Sequence, residues 1–282
     1  MQRYRLLGHP LGHSLSPQIH QRLFAMEGMD ADYSLMDLPP DSLKAHLPEL
    51  FSLRGFNITI PYKQTILPYL DECSDGAALY GAVNTVSIEN GKKIGHNTDQ
   101  GGFLRTMQGH GISLKTRVCV AGAGGVGRMF AIESILHGAE VTIGVRNKSL
   151  QKAELLAAEI LQKTGKAVRV CDLAKLNEPF GLLINATPVG MFPKTDASPV
   201  LRSMAAKADA IFDCIYNPRE TLLLTQAKQD GVTHCIGGME MLVWQAAIAH
   251  EIWHGSRFST AQIDCIVQEM FQLLIEREGT PK

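Results

Sequence analysis

The sequence predicts an α/β fold in two domains, on three observations. Apolar β-branched runs alternate with helical patterns along the chain, the order that builds parallel sheets. At 282 residues the chain has room for two hydrophobic cores. The third observation is local: Val118-Cys119-Val120-Ala121 enters the cluster Gly122-Ala123-Gly124-Gly125-Val126-Gly127, which leads into the helical pattern Arg128-Met129-Phe130-Ala131-Ile132. Gly122, Gly124 and Gly127 fill the G-x-G-x-x-G template in a strand–turn–helix setting, so one domain is expected to be of the Rossmann, dinucleotide-binding type. In that template the first glycine permits the sharp turn, the second lets a pyrophosphate approach the backbone, and the third lets helix and strand pack closely. The free N–H groups and positive dipole end of the helix face the phosphates.

Composition excludes several classes. Hydrophobic content of 45% with 20% charged residues suits a globular protein rather than a disordered one. Lys+Arg (27) balances Asp+Glu (28), so no global field draws the chain to nucleic acid or an anionic membrane. The six cysteines show neither a C-x-x-C pair nor metal-ligand spacing, so no metal is expected, and a reduced, cytoplasmic setting is. The N-terminal stretch lacks the apolar core of a signal peptide, and no run approaches the ~18 apolar residues of a membrane span.

In chain order, Tyr4 to Gly8 reads as a short strand, followed by a helical pattern from Ile19 to Met26 with Pro17 near its first turn. Two readings fit Ser14 and Ser16: helix capping, or two hydroxyls at a helix N-terminus suited to a small carboxylate. Tyr33 to Leu38 reads as the second strand, and a helix runs from about Ser42 to Leu53. Gly55 to Ile60 reads as the third strand, running into Pro61-Tyr62-Lys63. Alternation puts Asn57 and Thr59 on one face, and Phe56, Ile58 and Ile60 on the other. A polar face with a lysine at the strand's carboxyl end matches the ligand crevice of an open α/β sheet. Taken alone, Lys63 reads as a solvated surface lysine, a reading that the aligned Asn57 and Thr59 weaken without removing. A helix over Gln64 to Leu70 leads to an acidic loop containing Asp71, Glu72 and Asp75. Asn90-Gly91 between two short apolar runs signals a hairpin, which brings Asn84 and Asp99 together although they lie fifteen positions apart. Asp99 also precedes the helical segment Gly102 to His110, so capping is a second reading for it.

The second half opens with the strand Lys115 to Val120, the glycine turn and a helix to about His137. The next strand, Glu140 to Val145, ends in Arg146-Asn147-Lys148-Ser149. An NAD-binding unit carries Asp or Glu near this point, about 20 residues past the glycines, on the ribose 2′-hydroxyl. Here there are two bases and no acid. A carboxylate would repel a 2′-phosphate, whereas Arg146 can hold one through charge-assisted hydrogen bonds, so the expected cofactor is NADP(H); a solvated basic turn is the alternative. Leu150 to Lys163 reads as a helix, and strands follow at Ala167–Cys171, Phe180–Asn185, Ala210–Tyr216 and Thr233–Ile236, with a helix at Leu222–Asp230. A long helix runs to about His254, and a last one, Thr260 to Arg277, aligns Ile263, Ile266, Met270 and Leu273 on one face.

Six short motifs stand in order along the chain: His13-Ser14-Leu15-Ser16-Pro17, Asn57-Ile58-Thr59-Ile60-Pro61-Tyr62-Lys63, Ala82-Val83-Asn84-Thr85, Asn97-Thr98-Asp99, the glycine loop, and Gly238-Met239-Glu240-Met241-Leu242-Val243-Trp244-Gln245. Together they resemble the shikimate dehydrogenase family over almost the whole chain. The resemblance implies NADPH-dependent reduction of 3-dehydroshikimate to shikimate, within chorismate and aromatic amino-acid biosynthesis. It implies a catalytic pair, Lys63 and Asp99, with Ser14 and Ser16 on the substrate carboxylate. Thr59, Asn84, Asp99 and Gln245 would take the hydroxyls and keto group, with Tyr216 also reaching the substrate. Cys214, Gly238 and Met241 would border the nicotinamide, and Asp75 falls at a position of cofactor contact. The family's usual Asn-Arg-Thr turn is Val145-Arg146-Asn147 here, which leaves Lys148 to offer a second phosphate ligand.

The expected substrate domain spans residues 1–101, with helices 240–282 returning to it. Residues 102–239 form the expected NADP domain, with the active-site cleft between the two. Its partners are small molecules, without nucleic acid or membrane, and the protein is a monomer or homodimer. One alternative is a quinate/shikimate dehydrogenase using NAD(P). Relatives that prefer quinate can carry Thr at the second serine's place, so Ser16 favours shikimate. A second alternative, a non-catalytic NADPH-binding regulator, is disfavoured because a sensor needs no proton donor such as Lys63.

Overall fold

The computed structural model describes residues 1–12 and 14–279, so His13 of the first motif lies outside the described residues. The chain divides into two compact units, Met1–Gly102 with Leu242–Lys282, and Phe103–Met241. Among the described residues no helix is long and apolar enough to cross a membrane.

The first unit holds β1 (Gln2–Gly8), β2 (Ala31–Asp37), β3 (Gly55–Ile58), β4 (Glu72–Cys73), β5 (Thr85–Glu89) and β6 (Lys92–His96), in the order β2-β1-β3-β5-β6-β4. β1 runs parallel to β2 and β3, whereas β5 is antiparallel to both β3 and β6. The sheet is therefore mixed, not parallel, and the hairpin is the cause: Asn90 (φ 51°) and Gly91 (φ 83°) both take left-handed conformations, as a two-residue type I′ turn requires.

Three local expectations need correction. β3 ends at Ile58, because the Tyr62 N–H donates to Thr59 O at 2.9 Å and turns the chain into the short helix Tyr62–Thr65; Ile60, expected to share a face with Phe56 and Ile58, is 69% exposed whereas those two are buried. The expected acidic loop contains β4 and a helix, Asp75–Tyr80, whose N-cap Ser74 hydroxyl accepts from Ala77 N–H. The first helix begins at Ser16 with Leu15 at its N-cap, so neither serine caps it in the usual way; Ser14 Oγ instead accepts the Ser16 N–H at 3.2 Å.

The core of this unit packs Leu47, Leu50, Phe56, Ile58, Tyr62 and Val86 on one side of the sheet. Tyr4, Leu6, Phe24, Tyr33 and Trp253 form a second cluster under helices Ser16–Glu27 and Met239–His254. Trp253 donates from Nε1 to Val86 O at 3.0 Å, and a Cβ on Gly55 would lie 2.3 Å from that nitrogen, so only glycine lets the indole reach the sheet. On helix Thr260–Gly279 Ile263, Ile266 and Met270 are buried as expected, but the stripe continues through Leu274 rather than Leu273, the i+4 step that keeps to a 3.6-residue period.

The second unit holds β7 (Arg117–Ala121), β8 (Glu140–Val145), β9 (Arg169–Asp172), β10 (Phe180–Asn185), β11 (Ala208–Asp213) and β12 (His234–Gly237), all parallel, in the order β12-β11-β10-β7-β8-β9. Read from β9, this is the 3-2-1-4-5-6 order of a Rossmann sheet, whose ligand crevice lies at the carboxyl ends of the strands where the order reverses, here β7 and β10. Val118 to Ala121 are fully buried, as a strand covered on both faces must be. β11 stops at Asp213, short of the expected Tyr216.

Candidate active site

The hairpin does what its Asn-Gly turn predicts. Asn84, just ahead of β5, and Asp99, at the start of helix Asp99–Gly109, meet: Asn84 Nδ2 donates to Asp99 Oδ1 at 2.8 Å. The other carboxylate oxygen, Oδ2, accepts from Lys63 Nζ at 2.5 Å, with the two side chains 23% and 16% exposed. Lys63 is placed by the short helix after β3, and its carbonyl accepts the Val83 N–H at 2.8 Å, which ties it to the segment carrying Asn84.

Asn84 is buried and its amide orientation is fixed. The Thr98 N–H, which can only donate, lies 2.7 Å from Asn84 Oδ1, so Nδ2 must face Asp99 and Thr98 Oγ1 (2.9 Å). Gln245, on helix Met239–His254, stands at the edge of this group: Thr98 Oγ1 lies 3.4 Å and Asn84 Nδ2 3.5 Å from its Oε1, while its Nε2 donates to Leu242 O. Lys63, Asp99, Asn84 and Gln245 are thus brought together. Thr98, to which the sequence reading gives no role, is the bracket between them. Asn57 lies beneath, accepting from Tyr33 Oη at 2.8 Å and donating to Thr85 Oγ1 at 2.9 Å. It supports the frame instead of facing a ligand with Thr59.

Ser14 and Ser16 are half-buried at the start of the first helix, and Thr59 is half-buried just past β3. Among the described residues no hydrogen bond joins these three to the Lys63 group. Asp75 is exposed in the first unit, at the start of its helix.

In the second unit the glycine loop has the geometry its template demands. Gly122 takes φ 115°, closed to ordinary side chains, and its N–H donates to Gly144 O. A Cβ on Gly127 would lie 2.3 Å from Gly122 O, whereas one on Gly124 or Gly125 meets nothing within 4 Å. The second glycine thus leaves open space in front of helix Gly125–Leu136, with Ala123 and Val126 half-buried at its sides. This cradle fits a dinucleotide pyrophosphate. Arg146 and Lys148 are exposed after β8, and among the described residues neither joins an ion pair.

A third group organises the carboxyl ends of β10 and β11. Asp213 is fully buried and accepts from Asn185 Nδ2 (2.9 Å), Ile215 N (3.1 Å) and Thr221 Oγ1 (2.7 Å). Asn185 Oδ1 in turn accepts the Thr187 N–H, and Ile215 O accepts the Gly238 N–H, both at 2.9 Å. Gly238 is held so near Cys214 that a Cβ there would lie 2.2 Å from Cys214 O. Tyr216 is half-buried in the same loop, and Met241 is buried one turn along the helix from Gly238. The sequence reading puts Asp213 in the middle of the expected strand Ala210–Tyr216 and gives it no role; the structure places it at the end of β11.

Burial pushes the Asp213 carboxyl up from its ordinary 3.8 to about 6, against the pull of its donors Thr221, Ile215 and Asn185. The native state then keeps a proton that the unfolded chain releases, so this group costs stability as pH rises from about 4 to about 6. Asp213→Asn removes that term. Thermal melts are expected to show the variant's deficit relative to wild type shrinking across the window; a constant deficit would refute the shift.

A family model for the shikimate dehydrogenase substrate binding domain matches residues 6–86, from β1 into β5. The chain is 38% identical to the shikimate dehydrogenase (NADP(+)) of Methanocaldococcus jannaschii over 258 residues, 89% of this chain and 90% of that one. It belongs to the shikimate dehydrogenase family. The crystal structure of shikimate 5-dehydrogenase from Thermus thermophilus, in complex with NADP(H) and shikimate, superposes with a TM-score of 0.85 at 36% identity, covering 95% of this chain and 99% of that one. The ligand-free 5-ketofructose reductase of Gluconobacter sp. strain CHM43 superposes with a TM-score of 0.85 at 32% identity, covering 96% and 99%. One architecture thus carries two different enzyme names.

Proposed function

We propose that the protein is an NADP-dependent shikimate dehydrogenase, reducing 3-dehydroshikimate reversibly to shikimate on the chorismate route to aromatic amino acids. The observation that carries this is the Lys63–Asp99 pair at 2.5 Å, set in the Asn84–Thr98 frame. When bound, NADPH supplies the hydride. A ketone carbon that accepts hydride leaves a developing alkoxide, and Lys63 Nζ both stabilises that charge and gives it a proton. Asp99 Oδ2 aims the ammonium, and Asn84 holds Oδ1. Because a carboxylate has about four lone-pair sites, Asp99 keeps capacity for a substrate hydroxyl. In the reverse direction Lys63 accepts the hydroxyl proton.

Ser14 and Ser16 take the substrate carboxylate, and Thr59, Gln245 and Tyr216 complete recognition of its hydroxyls. The backbone of Gly122 to Gly127 receives the pyrophosphate, Cys214, Gly238 and Met241 border the nicotinamide, and Asp75 makes a further cofactor contact. Arg146 and Lys148 grip the 2′-phosphate. The protein acts in the cytoplasm as a monomer or homodimer. Hydrogen bonds to a charged group are worth about 1.5–3 kcal/mol, so Arg146→Ala should raise the KM for NADPH by about 10- to 100-fold and leave that for NADH nearly unchanged. Equal changes would remove Arg146 from the 2′-phosphate.

The test is spectrophotometric: reduction of NADP⁺ and NAD⁺ with shikimate and with quinate at matched concentrations. Turnover of shikimate with NADP⁺ is expected. No turnover with either acid overturns the reading, and faster reaction with quinate moves it to a quinate/shikimate dehydrogenase. The likeness to 5-ketofructose reductase makes NADPH oxidation by 5-ketofructose a useful third assay, and activity there alone would make the protein a 5-ketofructose reductase instead.

A further inference from the structure

Outside the groups above, one cluster among the described residues has the makings of a metal site, and the reaction does not use it. Glu27 ends helix Ser16–Glu27, while His250 and His254 stand one turn apart on helix Met239–His254. His250 Nδ1 lies 2.8 Å from Glu27 Oε2, and His254 Nδ1 lies 3.2 Å from Glu27 Oε1. One ligand atom from each residue falls within 4.8 Å of the others. In the sequence the two histidines belong to His250-Glu251-Ile252-Trp253-His254, an H-E-x-x-H pattern, which on a helix puts both imidazoles on one face.

We propose that Glu27, His250 and His254 form a divalent-cation site, for zinc or another transition ion that favours nitrogen and oxygen ligands, fastening the first helix to helix Met239–His254. The donor set, two imidazoles and a carboxylate, is one that zinc accepts. At metal–ligand distances of about 2.0–2.1 Å, a tetrahedral ion sets its ligand atoms about 3.3 Å apart. His250 and His254 now meet different oxygens of Glu27, at 2.8 and 3.2 Å, so the carboxylate must turn one oxygen towards both imidazoles and draw in ligand atoms that already lie within 4.8 Å of one another. Ser256 Oγ donates to Glu27 Oε1 at the edge of the group.

The outer nitrogens are arranged as metal-bound histidines usually are, each on a partner that fixes its tautomer. His254 Nε2 lies 2.7 Å from Tyr4 Oη, and His250 Nε2 lies 2.9 Å from His20 Nδ1, whose ring stacks on Tyr33. Tyr4 Oη also donates to Gln2 Oε1 at 2.6 Å, and a phenol has one proton. A neutral His254 that spends its Nδ1–H on Glu27 would need that same proton at Nε2. With Nδ1 on a metal, Nε2–H donates to Tyr4 Oη, and Tyr4 keeps its proton for Gln2. A protonated His254 paired with Glu27 would satisfy the same bonds, so the two must be told apart by measurement. Among the described residues His20 Nε2 has no hydrogen-bond partner. Glu251, the pattern's central acid, pairs with Arg257, so the cluster is read as a structural clamp and not a hydrolytic centre. The helix it holds also presents Gln245 to the Lys63 group.

Protein stripped with a chelator and titrated with Zn²⁺ by calorimetry, and with Co²⁺ by visible absorption, tests this. The expected result is one equivalent bound per chain, a raised Tm, and the cobalt spectrum of a low-coordinate nitrogen/oxygen site. Glu27→Gln and His254→Ala should each weaken binding at least about tenfold, and Tyr4→Phe, which removes an outer partner without touching a ligand, about tenfold. Should His254→Ala fail to fold, Glu27→Gln and Tyr4→Phe still decide the matter. Absence of stoichiometric binding to wild type, or affinity unchanged in Glu27→Gln, overturns the proposal and leaves the protonated pair.

Discussion

Lys63→Ala is expected to lower kcat by about 10²- to 10⁴-fold, the range a positioned general acid supplies, with far less effect on the KM for shikimate. The variant loses the proton donor and the charge beside the developing alkoxide, while Asn84 still anchors Asp99 through Oδ1. Steady-state kinetics in both directions check this. A fall of less than about tenfold would take Lys63 out of the acid role and shift attention to Asp99. Asp99→Asn should instead disturb two contacts at once, because Lys63 loses its anion and Asn84 then faces an amide that can present either end. The two residues act as a unit, so the double variant is expected to be little worse than Lys63→Ala alone.

Gly127→Ala should damage both fold and cofactor binding. Its Cβ would sit 2.3 Å from Gly122 O, a backbone atom that cannot rotate away, so the helix must lift from the turn that holds the phosphates. Overpacking of this kind costs about 1–3 kcal/mol, and at about 2–4 °C per kcal/mol for a chain of this size the Tm should fall by several degrees. The KM for NADPH should rise more than about tenfold. Gly124→Ala is the informative contrast, since a Cβ there meets nothing within 4 Å. Its Tm should stay near wild type while its NADPH affinity falls, because the added methyl intrudes only on the ligand. A wild-type KM in Gly124→Ala would mean that the pyrophosphate does not lie over this glycine.

Parts of the site were legible from neighbouring residues alone. The Asn90-Gly91 turn requires two left-handed residues, and once it forms the strands on either side must pair, so the meeting of Asn84 and Asp99 followed from a local signal. The glycine loop is legible for the same reason: each glycine answers to a backbone constraint within a few residues. Gln245 was different. It stands far along the chain from Asp99, and only the family resemblance pointed to it. Thr98 belongs to the Asn97-Thr98-Asp99 motif but has no role in the sequence reading, because a threonine beside an aspartate ahead of a helix looks like any other helix approach. The reading of Asn57 failed on its surroundings. Strand alternation placed it with Thr59 on a ligand face, but Tyr33 from β2 and Thr85 from β5 cover it.

The sequence by itself determined the α/β class, the dinucleotide turn, the hairpin and the positions that match the family's motifs. Each rests on backbone conformations and periodicities that a few consecutive residues impose. Only the tertiary structure decided which side chains share a bond. It aimed Asn84 at Asp99, made Asp213 the common acceptor of three segments, and put Glu27 against His250 and His254. Those contacts depend on which strands pair and where a helix returns, and the burial that makes each bond count is a property of the packed unit.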